Sequence, residues 1–450
     1  MFEKIKDLWR RVRTVVFDKG TIKSAIREDV AVSDEMSQAI RLWSDMYADG
    51  GKMGLPSAIS REVARLISIE MKSEIEGSNR GEFLNKKYSE VISNIRVPLE
   101  YGCAKGGLVF KPYVKQGNIA VDYIHADAFF PLAFNDSGKI TAAVFAERVV
   151  KGSKYFTRLE RHELKSDNTY TITNKAFESF DKGTLGVPVS LNSVDEWAEL
   201  AEEMTLGNVA SPLFGYFKPA FANTIDPKSP LGVSVYADAT ELIDEANKQF
   251  ERLLWEFESG ERALIANSLA FKHDKDGKLK LPNKKLYKTL DVEDIDFFKE
   301  WTPSLRVEEI NKGLDSIFRK IEFSCGLAYG TLSDVQNADK TAEEIVASKQ
   351  RSYATVSDNQ RALKNALEDL VYAMDVWCTL YNLAPMGTYK TSFEFDDSII
   401  ADRKAEFTEK QALVTAGIMS KWEFRMWYFG EDEKTAKEKV SAEFEGVPEV

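Results

Sequence analysis

Three cysteines and three histidines are all that 450 residues offer to a disulfide frame or a zinc site. Cys103, Cys325 and Cys378 are odd in number, far apart and never in a C-x-x-C pair. That spacing fits buried thiols in a reducing compartment. His125, His162 and His273 are equally scattered, whereas structural zinc needs about four clustered ligands. Catalytic signatures are missing too: no G-x-x-x-x-G-K-[ST], no H-E-x-x-H and no G-x-S-x-G. No apolar run approaches the roughly 18 residues of a membrane span. The opening MFEKIKDLWRRVRTVVF is basic but has no uninterrupted apolar core, so it does not read as a signal peptide. Nor is there a basic excess. Sixty Lys and Arg against 72 Asp and Glu leave a net charge of −12, the opposite of the basic surface of a sequence-specific DNA reader.

What is present is an ordinary globular composition, 44% hydrophobic and 29% charged, with length for roughly two to four domains. The chain opens helical. Ser33 or Asp34 caps a helix over 34–47, with Met36, Ile40, Leu42, Trp43 and Met46 on one side. Pro56 starts a second helix, predicted to run to about Glu76. A third is predicted over 80–101, stopped by Gly102, Gly106 and Gly107. From 108 to 170 the texture becomes strand-like: LVFKPYV, NIAVDYI, FFPLAF, ITAAVFAERVV, YFTRLERHEL and TYTITNKAF. Polar turns at 116–118, 135–138 and 151–153 make this an antiparallel meander.

Past Pro230 the pattern turns helical again. Val235, Ala239, Leu242, Ala246, Phe250, Leu253 and Phe257 form a narrow apolar seam on a predicted helix over 231–257, about 40 Å long. Gly260 ends it, and an irregular stretch, 259–303, follows. After Pro303 a second helix carries Ile310, Leu314, Ile317 and Ile321 on a matching seam and ends near the glycines of GLAYG. A polar loop, 333–340, leads to the capping box Thr341-Ala-Glu-Glu344. The helix beyond reaches to about Leu383, with Leu363, Leu367, Leu370, Met374, Trp377 and Tyr381 on one side of its second half. Lys349, Gln360 and the apolar-poor 352–359 predict a kink near 355–357. Short strands and three short helices, 403–416, 420–428 and 434–444, close the chain.

Charge is divided sharply. The 231–258 segment sets seven carboxylates against Lys248 and Arg252, whereas 272–288 sets seven lysines against two aspartates. A lysine run serves as a solvated loop or as weak contact with phosphates. The acids at 291, 293, 294 and 296 are a solvated loop or helix start, or else a metal site for a nuclease or hydrolase, which would depend on divalent metal.

The order of elements is informative. NTIDPKSPLGVSVYA (223–237), GLAYGTLS (326–333) and AGIMSKWEFRMW (416–427), with the elements between them, resemble the portal proteins of tailed bacteriophages, in the group from phages of Gram-positive bacteria. The resemblance covers nearly the whole chain and rests on order and spacing. It implies an α+β portal fold. Residues 1–230 would be an antiparallel β/α wing, 231–258 and 304–332 paired stem helices, and 259–303 a small αβ clip. Residues 333–340 would be a tunnel loop, 341–400 a long kinked helix with wing strands, and 401–450 a short helical crown.

The implied role is non-enzymatic and cofactor-free. A homo-oligomeric ring of twelve subunits would sit at one capsid vertex of the virion after assembly in the host cytoplasm. It would pass double-stranded DNA without reading its sequence, during packaging and ejection. Implied partners are the terminase, a head–tail adaptor, and the major capsid and scaffold proteins, with no membrane. Asp334, Gln336, Asn337, Asp339 and Lys340 would line the tunnel. Lys278, Lys280, Lys284 and Lys285 would dock partners or DNA at the clip. Val235, Leu242, Phe250, Leu253, Ile310, Leu314, Ile317 and Ile321 would form the seam between subunits. Another ring component of the virus neck is the structural alternative, though such chains are usually shorter.

Overall fold

The computed structural model describes residues 19–27, 29–69, 71–261, 263–267, 287–290, 298–334, 342–395 and 403–444. The chain divides into two compact units, Met1–Glu394 and Phe395–Val450. In the first unit, helix Asp34–Asp49 begins where expected. Ser33 accepts a hydrogen bond from the Met36 amide at 3.2 Å, and Gly50 closes the helix at φ 69°. Two expectations fail nearby. The second helix stops at Ser68, and Lys72–Gly77 is strand β1, with Ser73 and Ile75 inward. It pairs with β14 (Tyr389–Glu394), more than three hundred residues away. The third helix is two, Asn79–Asn94 and Arg96–Lys105. The break suits Pro98. Without an N–H it fits only the first turn of a helix, where that donor is unpaired in any case.

The predicted meander exists but is split between sheets. β2 (Leu108–Lys115) and β3 (Asn118–His125) form one sheet with β10 (Gly215–Phe217). β4 (Phe129–Phe134), β5 (Ile140–Lys151), β6 (Lys154–Leu164), β7 (Tyr170–Ser179) and β8 (Val187–Val189) form the other, with β9 (Glu203–Leu206) also on β7. The long helix, Ala342–Leu380, supplies Leu363, Leu367, Leu370 and Met374 to the main core, all fully buried. Arg80, itself buried, ties the last turns of that helix to the N-terminal helices. It reaches Asp375 at 3.0 Å, Thr379 Oγ1 at 2.5 Å and the Ala384 carbonyl at 3.1 Å.

A buried charge network joins the two sheets. Lys111 Nζ on β2 lies 2.5 Å from Glu160 on β6, and Arg158 reaches the same carboxylate at 3.0 Å. Burial pushes the Glu160 carboxyl up, but Lys111 and Arg158 outweigh it and hold it well below the usual range. Burial lowers His162, against the pull of Glu160, so its ring stays neutral. The ring then donates from Nε2 to Glu160 and accepts at Nδ1 from the Tyr170 hydroxyl, both at 2.8 Å. Tyr170 in turn accepts from the Leu213 amide. Every member has a partner, which makes the network a structural clamp. Glu160 is depressed, so its contribution is present above the titration of an unfolded carboxyl and lost as pH falls through the folded value. Lys111→Met leaves Glu160 with Arg158 and His162 but removes a charge-assisted hydrogen bond, and should cost about 1.5–3 kcal/mol at neutral pH, read as a lower denaturant midpoint.

Candidate functional site

The predicted seams meet in an antiparallel helix pair. The outgoing helix is Thr240–Ser259 and the return helix Val307–Ser324. The outgoing helix is shorter than expected, because 231–236 is irregular and Ala237–Ala239 is a single 3-10 turn. The reason is close backbone packing. A Cβ on Gly106 would lie 2.8 Å from the Gly232 carbonyl, and one on Gly232 would lie 2.6 Å from that of Gly106. Val235 donates its amide to the Cys103 carbonyl, and the Tyr236 hydroxyl donates to the Trp43 carbonyl. The 223–237 stretch therefore fastens the outgoing helix to the N-terminal helices.

This changes the assignment of the seam. Val235, Leu314 and Ile321 are buried by the chain itself and cannot offer a neighbouring subunit a surface. Leu242 and Ile317 pack half-buried against the same core. Phe250, Leu253 and Ile310 are half-buried along the pair, whereas Phe257 is exposed. Toward the outer end of the pair, Leu254, Trp255, Phe257, Trp301 and Leu305 are exposed.

One carboxylate closes that outer end. Glu256 accepts from the Arg306 amide at 3.0 Å and from its guanidinium at 3.2 and 2.8 Å. Beyond it, β11 (Ala263–Asn267) pairs parallel with β12 (Tyr287–Leu290) and antiparallel with β13 (Phe298–Trp301). Lys278, Lys280, Lys284, Lys285 and the acids at 291–296 lie outside the described residues. Among the described residues no group of three or more His, Cys, Asp or Glu can hold a metal ion.

The inner end carries a second carboxylate arrangement, which the sequence reading missed. Gly326 ends the return helix at φ 66°, and a Cβ there would meet Thr355 Oγ1 of the long helix at 2.4 Å. Arg351 of that helix lies over the rings of Phe323 and Tyr329, 4.5 and 5.0 Å from their centroids. Glu322, fully buried, accepts from the amides of Leu332 and Ser333 at 2.6 and 2.9 Å and from the Ser333 hydroxyl at 2.8 Å. Asp315 accepts from the Asp334 amide at 2.7 Å and pairs with Arg319 at 2.7 Å. A signal was available: Asp315 and Glu322 each follow a seam residue, Leu314 and Ile321. Of the five predicted loop residues, Asp334 is described and exposed; Gln336, Asn337, Asp339 and Lys340 lie outside the described residues.

Residues 68–446 match the family model described as phage portal protein, SPP1 Gp6-like. The chain belongs to this portal protein family. The family is structural rather than enzymatic, and implies an oligomeric ring associated with the phage capsid. No curated protein matches the chain. Among the described residues of this portal protein, no helix is long and apolar enough to cross a membrane.

Outside the seam the outgoing helix exposes carboxylates. Asp238 (just before it), Glu241, Asp244, Glu251 and Glu258 are exposed, relieved by Lys248 at 2.6 Å from Asp244 and by Lys52 at 3.0 Å from Glu251. Hydrogen bonds from the Arg306 side chain and backbone hold the Glu256 carboxyl below its ordinary range. A depressed carboxyl contributes above the unfolded value of about 4.3 and loses its contribution as pH falls through the folded one. Glu256→Gln should lower the melting temperature at pH 7. It should also make the loss of stability between about pH 5 and 3 shallower than in wild type, measured by thermal melts across that range.

Proposed function

We propose that this portal protein forms a closed head-to-tail ring whose channel carries double-stranded DNA during packaging and ejection. The observation that carries the reading is the family match over residues 68–446; large apolar side chains are left in solvent near the outer end of the helix pair, with Trp255 60%, Phe257 48% and Trp301 47% exposed. Covered by a neighbouring copy, these side chains would leave water. A surface of one subunit that meets a different surface on the next copy generates a ring when the rotation closes. Twelve copies is the number the family resemblance implies. The exposed carboxylates of the outgoing helix repel a phosphate backbone, so DNA that passes them slides and is not held.

In this reading 259–303 is the clip, which docks the terminase during packaging and the head–tail adaptor afterwards. The lysines 278, 280, 284 and 285 supply its contacts. Residues 333–340 form the tunnel loop, where Asp334, Gln336, Asn337, Asp339 and Lys340 offer DNA many weak contacts that break one at a time. Capsid and scaffold proteins surround the ring at the vertex, and assembly takes place in the host cytoplasm.

Negative-stain microscopy and native mass spectrometry of the purified wild-type protein should find rings with a central hole. Monomer alone at every concentration overturns the reading. Trp255→Asp should weaken each subunit contact by about 2 kcal/mol or more, roughly 30-fold, without unfolding the chain, because the side chain is exposed. Neutralising Lys284 and Lys285 together should spare ring formation and cut packaging in a defined motor assay. Unchanged packaging removes those two lysines from docking or DNA contact.

A further inference from the structure

The return helix treats the segment that follows it in an unusual way. A helix that ends at a left-handed glycine needs no further help to stop. Gly326 and the bonds from Cys325, Gly326 and Leu327 back to Ile321, Phe323 and Glu322 already satisfy its last carbonyls. Yet two of its acids reach past that stop. Asp315 and Glu322 are seven residues apart, two turns and so on one face, about 10 Å apart along the axis. Ser333 bonds at the level of Glu322, and Asp334 bonds to Asp315. The chain therefore reverses after 330 and runs back alongside the helix it has just left.

The chemistry is specific. A buried carboxylate is costly unless several donors meet it. Glu322 is fully buried and finds three donors, all from Leu332 and Ser333. The Ser333 hydroxyl completes the turn by accepting from the Gly330 amide at 3.1 Å while it donates to Glu322. If filling space were all that mattered, leucine or methionine would serve at 322. The carboxylate instead fixes two backbone amides in direction as well as position. Asp315 adds a third amide one step further, its other oxygen held by Arg319.

We propose that Glu322 and Asp315 are positioning residues that bind residues 332–334 to the return helix and so fix where the polar segment 335–340 departs. The inference rests on the portal reading, in which that segment meets DNA. Its mechanical content is that the first residues of the loop move with the return helix. The long helix touches the same corner through Gly326, Phe323 and Tyr329. A push on the loop is thereby delivered to the helix pair through charge-assisted hydrogen bonds.

The test uses full-length rings of wild type, Glu322→Gln, Asp315→Asn and Ser333→Ala. Glutamine keeps the size of Glu322 but removes the negative charge that strengthens both amide bonds at Oε1, and it obliges the Ser333 hydroxyl to turn from donor to acceptor. Hydrogen exchange is read in peptides covering 330–334, and DNA retention is read after packaging in a defined system. Glu322→Gln should form rings like wild type, exchange at 332 and 333 at least tenfold faster, and lose packaged DNA several-fold faster. Asp315→Asn should accelerate 334 alone. If Glu322→Gln fails to fold, Ser333→Ala, which removes one of the three bonds, supplies the reading with a smaller acceleration and a smaller loss of DNA. Unchanged exchange in the variants overturns the proposal, and so does faster exchange with wild-type retention. A wild-type chain that never forms rings brings down the portal reading and the inference with it. Wild-type rings that retain DNA no better than Glu322→Gln rings bring down the inference alone.

Discussion

The helix pair is buried at one end only, and the rest of the molecule is arranged around that asymmetry. At the inner end Val235, Tyr236, Ile243, Ala246, Leu314, Ile321 and Cys325 sink into the main core. At the outer end a single carboxylate, Glu256, joins the helices through Arg306, while Trp255 and Phe257 face solvent. The pair is thus secured by the apolar core at one end and by an ion pair at the other. The large N-terminal assembly of helices and sheets supplies that core. Its buried clamp of Lys111, Arg158, Glu160 and His162 locks one sheet to the other, so the core does not shear.

Close approach at the inner end depends on glycine. The facing backbones of Gly106 and Gly232 leave no room for a Cβ on either side, and Gly326 makes the same allowance for Thr355. Asn359, fully buried, donates to the Thr355 carbonyl at 2.7 Å and accepts from the Ala220 amide at 3.0 Å. That explains the apolar-poor stretch of the long helix. Ser352 and Asn359 are buried where packing alone would have put leucine, and Asn359 is spent on the backbone of the 219–222 segment. Over Ala342–Leu380 the secondary structure is one helix.

Charge plays two roles that composition cannot separate. The net of −12 describes the whole chain. Inside, acids are tightly paired: Asp127 with Lys105 at 2.5 Å, Glu160 with Lys111 and Arg158, Glu322 with backbone amides. Outside, those of the outgoing helix stand in solvent with few cations beside them. Only the second group shapes a field that DNA would feel, and only the first holds the fold.

The sequence by itself determined the local elements. The Ser33 cap, the strands from Leu108 to Ser179, the helix stop at Gly326 and the short helix beginning near Ser420 were all legible, because each depends on residues a few positions apart. The order of those elements carried the family. Tertiary structure decided what depends on distant partners. Residues 72–77 carry a helical spacing yet form a strand, because residues 389–394 lie beside them and the pairing outweighs propensity. The seams at 242–253 and 310–321 looked like one surface for a neighbour. Folding spent Leu314 and Ile321 inside the chain and left Leu254, Trp255 and Phe257 for contact. Periodicity reports that a face is apolar, whereas which copy of the chain covers it depends on where the chain returns. Asp315 and Glu322 were two acids among many until the chain doubled back and brought three amides to them.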